Sequence, residues 1–218
     1  MIRKILLAIV IVVALLAWNR HKQNVSKGSK LTEPADASYV YLEDFSKEFV
    51  FDLRYATENN FLKKKVYPCA ECMLAYETVK GLIKANDLFV IKGYKIKIFD
   101  CYRPRFVQYK MWEILPDSRY VANPEGKGSA HNRGLAVDLT LITMNGKELD
   151  MGTGFDHFGE EAHHAYTDLP DTVIQNRMFL KTIMRDAGFN PIKTEWWHYY
   201  LITDNEYEPA DFPLCREE

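Results

Sequence analysis

Three residues in two separate stretches of the sequence have the chemistry of metal ligands. "GSAHNRGLAVD" contains His131 and Asp138, and "TEWWHYYL", much further along the chain, contains His198. Zinc binds imidazole nitrogen and carboxylate oxygen readily, and a catalytic zinc site keeps three protein ligands and one open position for water. Gly134 lets the backbone turn between the first two residues, so a loop ligand and a strand ligand can converge. The three residues predict a zinc site, although the first stretch alone also fits a surface turn that enters a strand.

Glu195 stands three residues before His198 and is a candidate general base. A metal-activated water needs a base that takes its proton and passes it to the leaving amine, and glutamate suits this role. On a regular strand, residues three apart point to opposite faces of the sheet. Both side chains therefore reach one ion only if the strand twists, bulges or ends at Trp196 and Trp197. Otherwise Glu195 is a solvated residue at a strand edge.

The start of the chain differs from the rest in composition. Arg3 and Lys4 precede an uninterrupted apolar run over residues 5–18, which is the layout of a secretory signal. The run is short for a full span, which needs roughly 20 apolar residues, but with flanking residues it can also act as a tilted membrane anchor. Residues 19–38 are polar without periodicity and are predicted to form a flexible tether. We therefore expect an exported protein of the periplasm or cell envelope, with cleavage of residues 1–18 left open.

The remaining residues, 39–218, have the composition of one globular domain. The chain has 218 residues, of which 47% are apolar and 27% charged, and this is enough to bury a substantial core. Its net charge is −2, with acidic and basic residues interspersed. No basic patch of the kind that binds phosphate backbones is visible, so nucleic acid is excluded as a partner. The oligomeric state is not indicated.

The predicted secondary structure mixes strands and helices without a regular βαβ repeat. Helical spacing of apolar residues runs from Cys72 to Phe89 and recurs in "RFVQYKMWEIL" and "QNRMFLKTIMRDAGF". Strand patterns occur in "YVYLEDF", "FVFDLRYAT", "YKIKIFD", "AVDLTLI" and "EWWHYYLI". This arrangement predicts the α+β class, with a mainly antiparallel sheet flanked by helices.

The four cysteines allow several interpretations. Cys69 and Cys72, in "CAEC", fit a redox pair or half of a structural zinc site, but no second matching pair follows. In an exported protein they fit disulfides with Cys101 and Cys215, whose connectivity the sequence does not define. Any bridge to Cys101 would brace the loop "DCYRP".

Several motifs together resemble one enzyme family. "SAHNRGLAVDLT", "EWWH" and the upstream "DCYRP" are similar to the zinc D-alanyl-D-alanine dipeptidases, which include the vancomycin-resistance dipeptidases and belong to the D,D-peptidases related to the hedgehog signalling domain. "DLRYATENNF" and "MGTGFDHFGEEAHH" match as well, so the resemblance covers most of the domain. It implies a hedgehog/D,D-peptidase-like fold. The motif "SAHNRGLAVDLT" is also found in carboxypeptidases and endopeptidases of the wider family, whereas the complete set of motifs is typical of the dipeptidases.

The resemblance implies roles for individual residues. It makes His131, Asp138 and His198 the zinc ligands, with one zinc ion per chain, and Glu195 the catalytic base. Arg103 of "DCYRP" matches the arginine that stabilises the oxyanion; without the resemblance it would be interpreted as part of a surface salt bridge. Four further positions match residues that confine a free dipeptide, with an acidic group for the ammonium end and a hydroxyl for the carboxylate end: Tyr55, Asp100, Ser129 and Asp156.

The sequence therefore predicts a zinc metallopeptidase that hydrolyses D-Ala-D-Ala or a closely related dipeptide. One alternative is a D,D-carboxypeptidase or endopeptidase that acts on peptidoglycan stem peptides. Another is a zinc-stabilised binding domain without catalysis, against which the presence of both Glu195 and Arg103 argues. The remaining histidines of the second half, His157, His163 and His164, are not expected to bind the metal.

Overall fold

A computed structural model describes residues 33–217, and the residues from Ala35 onward form one folded unit. The predicted export segment and most of the predicted tether lie outside the described residues. The tether's last residues belong to the folded unit, because the carbonyls of Asp36 and Ser38 accept hydrogen bonds from the backbone of Glu77 and Tyr76. Within residues 33–217, no helix has the length and apolar character needed to cross a membrane.

The described residues form seven strands and three long helices. The strands are β1 (Tyr39–Tyr41), β2 (Val50–Phe51), β3 (Met73–Ala75), β4 (Tyr94–Asp100), β5 (Ala136–Thr143), β6 (Phe189–Pro191) and β7 (His198–Leu201). The helices are α1 (Tyr76–Ile91), α2 (Arg105–Ile114) and α3 (Asp171–Asp186). Shorter helical pieces occur at Leu42–Phe45, Arg54–Ala56, Ala130–Arg133 and Glu160–Ala162.

Five of the strands form the main sheet, in the order β2-β4-β5-β7-β6. Every neighbouring pair is antiparallel except β2 and β4, which are parallel. Strands β1 and β3 form a separate antiparallel pair. The prediction of an α+β fold with a mainly antiparallel sheet is confirmed.

The two faces of the sheet have different chemistry. Ile98 of β4, Leu139 of β5 and Tyr199 of β7 each follow a polar residue and lie in the large apolar core, together with side chains of α1 and α3. Each of these three side chains is fully buried, and burial of a large apolar side chain contributes roughly 1.5–3 kcal/mol. The alternate residues Asp138 and His198 therefore point to the opposite face, where polar side chains collect.

Three of the predicted elements described here differ from the structure. The helix predicted from Cys72 begins only at Tyr76, because Met73–Ala75 pairs with β1 as a strand; this pairing overrides the helical spacing of the side chains. In "YVYLEDF" only the first three residues are a strand, and Leu42–Phe45 is a helical turn. The aromatic strand predicted from Glu195 starts three residues late, at His198, and this difference decides the geometry of the site described below.

The four cysteines form two disulfides, which answers the question of connectivity. Cys72 at the start of β3 is joined to Cys101, directly after β4. Cys69 is joined to Cys215 near the end of the chain. The first bridge braces the loop that contains Arg103, and the second fixes the C-terminal tail to the loop before β3.

We expect the Cys69→Ala/Cys215→Ala variant to lose about 2–4 kcal/mol in free energy of unfolding, because the bridge restricts a long loop in the unfolded chain. The bridged residues are 146 apart in the sequence. Denaturant unfolding of the two proteins without reductant measures the difference. Four reactive thiols in the native, unreduced protein would contradict the disulfide assignment.

Candidate active site

Two of the predicted metal ligands meet through the register of the sheet. Asp138 of β5 lies directly opposite His198 of β7, and side chains of directly opposed residues share one face of an antiparallel pair. The Asp138 Oδ1 and His198 Nδ1 atoms are 2.9 Å apart. Hydrogen bonding of the backbone thus places a carboxylate beside an imidazole on the polar face.

The third predicted ligand, His131, comes from a short 3-10 helix before β5. The Ser129 hydroxyl caps this helix by accepting a hydrogen bond from the His131 backbone, and the Asn132 side chain accepts one from the Ser129 backbone. The helix ends at Gly134, which has a φ of 66°. A Cβ atom there would lie 2.8 Å from the backbone nitrogen of Ala75, so only glycine fits this turn. The turn directs the chain into β5 while His131 stays above the sheet.

The donor atoms of the three side chains are close enough to bind one zinc ion, because one donor atom from each residue lies within 4.8 Å of the other two. His131 Nε2 lies 3.2 Å from His198 Nδ1 and 3.4 Å from Asp138 Oδ2. Ligand atoms that bind zinc at about 2.0–2.1 Å in a tetrahedron lie roughly 3.3 Å from one another. In addition, His131 Nδ1 donates a hydrogen bond of 2.6 Å to the Cys101 carbonyl, which leaves Nε2 unprotonated and able to bind a metal. The residues present therefore fit a zinc ion.

Within residues 33–217, these three side chains are the one group of histidine, cysteine and acidic residues with such spacing. His157 pairs with Glu161 at 3.1 Å on the surface, and His163 and His164 lie outside the group as well. The structure therefore brings together the three predicted ligands and none of the other histidines of this region.

Glu195 reaches the ligand group because it precedes the strand. Residues 192–197 form the loop between β6 and β7, and Trp196 and Trp197 are both buried in a bend of this loop. The Glu195 Oε2 atom lies 3.9 Å from His198 Nδ1. The opposite-face geometry of a regular strand does not apply here, because β7 begins at His198. Burial raises the pKa of the Glu195 carboxyl above its ordinary value.

Arg103 is buried beside the ligand group and held on three sides. Its Nη2 donates to Asp100 Oδ2 at 2.6 Å, its Nη1 to Gln108 Oε1 at 3.0 Å and its Nε to the Tyr67 hydroxyl at 3.4 Å. The guanidinium also lies 5.2 Å from the centre of the Tyr55 ring. A guanidinium has more N–H groups than these contacts use, so Nη1 and Nη2 each keep a donor for a further partner.

Asp100 was predicted to contact the substrate, and the structure places it elsewhere. Its side chain is fully buried beneath Arg103, and Oδ1 accepts hydrogen bonds from the Tyr67 hydroxyl and the Cys101 backbone. The position depends on a β-bulge: Ile98 lies opposite Leu139, but Asp100 lies opposite Asp138. Without the bulge, the alternation of side chains would turn Asp100 into the apolar core. Its contacts indicate that it positions Arg103.

A cavity of about 310 Å³ opens above the ligand group. Its polar lining includes the other three residues predicted to hold a dipeptide, Tyr55, Ser129 and Asp156. The Tyr55 hydroxyl donates to both Asp156 oxygens at 3.1 Å, and Asp156 adopts a left-handed φ of 60°, which is uncommon outside glycine. Burial and the nearby Asp138 raise the pKa of the Asp156 carboxyl well above its ordinary value.

Sequence reasoning missed several residues of this site. Tyr67 and Gln108 hold Arg103, and Gln108 also donates to the Ala122 carbonyl in the loop over the cavity. Tyr120 and Phe158 lie at the cavity wall with ring centres 4.7 Å apart. No local pattern marks the roles of these four side chains, because the roles depend on contacts between distant segments, although Phe158 itself lies within the motif "MGTGFDHFGEEAHH".

The site can be compared with known proteins. A family model described as D-ala-D-ala dipeptidase, of peptidase family M15, matches residues 35–213. The D-alanyl-D-alanine dipeptidase of Escherichia coli K12 is 34% identical over 190 residues, which cover 87% of this chain and 93% of the relative. The D-alanyl-D-alanine dipeptidase of Enterococcus faecium is 33% identical over 201 residues, covering 82% of this chain and 99% of the relative.

Solved structures with partial similarity include a vancomycin-resistance D,D-pentapeptidase, VanY, in complex with Zn(II). It superposes with a TM-score of 0.42 at 15% identity, over 63% of this chain and 77% of that one. A structure of VanYB in complex with D-alanine-D-alanine gives a TM-score of 0.41. The match of the family model over most of the chain, together with the coverage of the curated relatives, shows that the chain belongs to the D-ala-D-ala dipeptidase family of metallopeptidases.

Proposed function

We propose that this protein is a zinc metallopeptidase that hydrolyses D-alanyl-D-alanine. The observation that carries the proposal is the meeting of a His-Asp-His group, a glutamate and a buried arginine at one small cavity. Membership of the dipeptidase family supports the choice of substrate. The cavity volume of about 310 Å³ also suits a small ligand, because it lies near the lower end of the range for small-molecule pockets.

His131, Asp138 and His198 would hold one zinc ion per chain. A zinc ion in a site of this kind supplies a Lewis acid that polarises a carbonyl and lowers the pKa of water to near neutrality. The protein keeps the two imidazoles in place by different means. The Cys101 carbonyl orients His131, and the pairing of β5 with β7 places His198 against Asp138.

Glu195 would move the proton. Its carboxylate would accept the proton of the attacking water and deliver it to the amine that leaves as the peptide bond breaks. The bend at Trp196 and Trp197 places Glu195 on the same side of the sheet as the ligand group, and the Glu195 Oε2 atom lies close to His198 but not within hydrogen-bond distance.

Arg103 would stabilise the negative charge that develops on the carbonyl oxygen of the substrate. A donor that is fixed before the reaction needs no reorganisation as charge develops, and it acts strongly in a site that excludes water. Contacts with Asp100, Gln108 and Tyr67 fix the guanidinium in this way. Asp100 is thus a positioning residue for Arg103.

Asp156 and Ser129 would hold the two ends of a free dipeptide. An ammonium group is the natural partner of the Asp156 carboxylate, because a nearby positive charge favours the ionised form that burial disfavours. The Ser129 hydroxyl, at the start of the 3-10 helix, is a donor for the substrate carboxylate. A ligand with both ends charged would therefore be preferred over a longer peptide.

The proposal includes export of the protein to the periplasm or cell envelope. The apolar N-terminal run after Arg3 and Lys4 supports export, and so do the two disulfides, since such bridges persist in oxidising compartments. Whether residues 1–18 act as a cleaved signal or as a membrane tether can be tested by fractionating cells and by sequencing the N-terminus of the mature protein.

The His198→Ala variant is expected to lose both its zinc and its activity, because two ligands bind the ion much more weakly than three. His157→Ala is the matched control, since His157 lies on the surface beside Glu161 and outside the ligand group. Elemental analysis of the purified proteins measures zinc per chain, with about one expected for the wild type and the control. Full zinc occupancy in His198→Ala would overturn the ligand assignment.

The Glu195→Gln variant is expected to keep its zinc content but to lose at least ~10²-fold in kcat, the usual effect of removing a general base. Steady-state hydrolysis of D-Ala-D-Ala measures the loss. Turnover close to the wild-type value would assign the proton transfer to another residue. If the wild-type protein binds zinc and dipeptide without turnover, the protein is a binding domain rather than an enzyme.

Blocking the substrate amine tests the role of Asp156. N-acetyl-D-Ala-D-Ala lacks the ammonium group that would pair with Asp156, and loss of one partner of a buried ion pair costs on the order of 3–5 kcal/mol, so its kcat/KM should fall ~10²-fold or more below that of the free dipeptide. In the Asp156→Ala variant, the difference in kcat/KM between the blocked and the free dipeptide should be smaller. Equal kcat/KM values for the two substrates in the wild type, together with cleavage of stem pentapeptides, would instead support a D,D-carboxypeptidase.

A further inference from the structure

A second cavity, of about 330 Å³, lies beside the catalytic one. It is formed by the C-terminal half of α3, strand β6 and the start of the β6–β7 loop, and we refer to it as the basic cavity. Ile192 lines both cavities, so the two adjoin each other. No residue with a role in the proposed reaction lines the basic cavity.

The charges around the basic cavity are all positive. Lys181 and Arg185 lie one turn apart on α3, and Lys193 follows β6. No carboxylate lines the cavity, and none of the three cationic side chains forms an ion pair with any part of the chain that the structure describes. Like charges at this helical spacing repel one another weakly in water, and an anion between them would remove this repulsion and attract all three side chains.

His164 provides a second, independent observation. Its Nε2 atom is buried and has no hydrogen-bond partner, although His164 lines the cavity. Its backbone N–H donates to the Lys193 carbonyl at 3.0 Å, which fixes the residue against the loop. Buried polar atoms nearly always have a partner, so this atom, which has none among residues 33–217, can accept a hydrogen bond from, or donate one to, a molecule bound in the cavity.

The electrostatic environment of His164 agrees with this interpretation. Burial, together with the charges of Lys181, Arg177 and Arg185, lowers the pKa of His164 to about 4. The imidazole is thus held largely away from water, close to the positive charges of Lys181 and Arg185 at the cavity wall. Asn190 and Tyr200 add uncharged polar groups to the same wall.

We propose that the basic cavity is a binding site for a phosphate group, separate from the catalytic centre. Phosphate has a tetrahedral set of acceptor oxygens and a charge approaching two, which suits donors that converge from a helix, a strand and a loop. A carboxylate has only two oxygens and one charge, and it would leave part of this wall unpaired. The volume allows a small phosphomonoester or the phosphate headgroup of a lipid.

Isothermal titration of the full-length chain with inorganic phosphate, at constant ionic strength, tests the proposal. We expect saturable binding, and at least a tenfold increase in Kd for the Lys181→Gln/Arg185→Gln variant. Lys92→Gln/Lys110→Gln is the matched control, because it removes the same charge from exposed lysines elsewhere and should leave Kd unchanged. An equal increase in Kd for phosphate in the two variants would show that the effect comes from the net charge alone, and it would overturn the proposal.

The proposed metal centre is a competing place for phosphate to bind, and a third variant separates the two sites. His198→Ala should retain phosphate binding, and loss of binding in this variant would overturn the proposal. The outcome does not depend on the dipeptidase activity, so the two proposals fail separately. A circular-dichroism spectrum and a thermal unfolding transition like those of the wild type show that the Lys181→Gln/Arg185→Gln variant is folded. If this variant is not folded, Lys193→Gln takes its place in the titration.

Two further ligands identify the source and the chemistry of the anion. Phosphatidylcholine vesicles with added phosphatidic acid test a lipid headgroup, and binding that is lost only in the basic-cavity variants would assign the phosphate to a lipid. Saturable binding of free phosphate without vesicle binding would assign it to a small molecule. Acetate that competes as well as phosphate, or no binding of either phosphate source, would overturn the proposal.

Discussion

The ion pair between Asp100 and Arg103 is the interaction on which the catalytic site depends. Both side chains are almost completely buried, and the Asp100 Oδ2 and Arg103 Nη2 atoms are 2.6 Å apart. Removing a charge from water costs several kcal/mol, and such a pair is tolerated only when its remaining hydrogen-bonding groups are satisfied. Tyr67, Gln108 and the Cys101 backbone satisfy most of them, and Arg103 keeps one donor on Nη1 and one on Nη2 for a further partner. The guanidinium is therefore held in one orientation before any substrate arrives.

The residue between the two charges links this pair to the candidate metal centre. The Cys101 carbonyl accepts the hydrogen bond of His131 Nδ1, and the Cys101 side chain is joined to Cys72. One short segment thus positions the proposed oxyanion donor, Arg103, on one side and the proposed metal ligand, His131, on the other. Movement of this segment would displace both Arg103 and His131. A disulfide, a β-bulge and a buried ion pair hold the segment in place.

The two faces of the main sheet have different roles, one in packing and one in the candidate active site. Its apolar face packs on α1 and α3, and its polar face carries Asp138 and His198 on adjacent strands. Helix α3 also contributes Lys181 and Arg185 to the basic cavity, at the far end from its acidic first residue, Asp171. In the β6–β7 loop, Lys193 lines the basic cavity and Glu195 lines the cavity above the candidate metal ligands. Residues of a single loop thus line two cavities of different chemistry.

Patterns in the amino-acid sequence are enough to predict the fold class, most of the strands and helices and the candidate ligands. Alternating and helical patterns are local, and residues such as His131, Asp138 and His198 are recognisable by chemical type and motif. The tertiary structure alone decided the disulfide pairs, the strand character of Met73–Ala75 and the place of Asp100 beneath Arg103. These depend on pairing between distant segments and on a bulge that shifts one register by a single residue. Such contacts leave no local periodicity, so the positions of Tyr67, Gln108 and the basic cavity followed only from the folded chain.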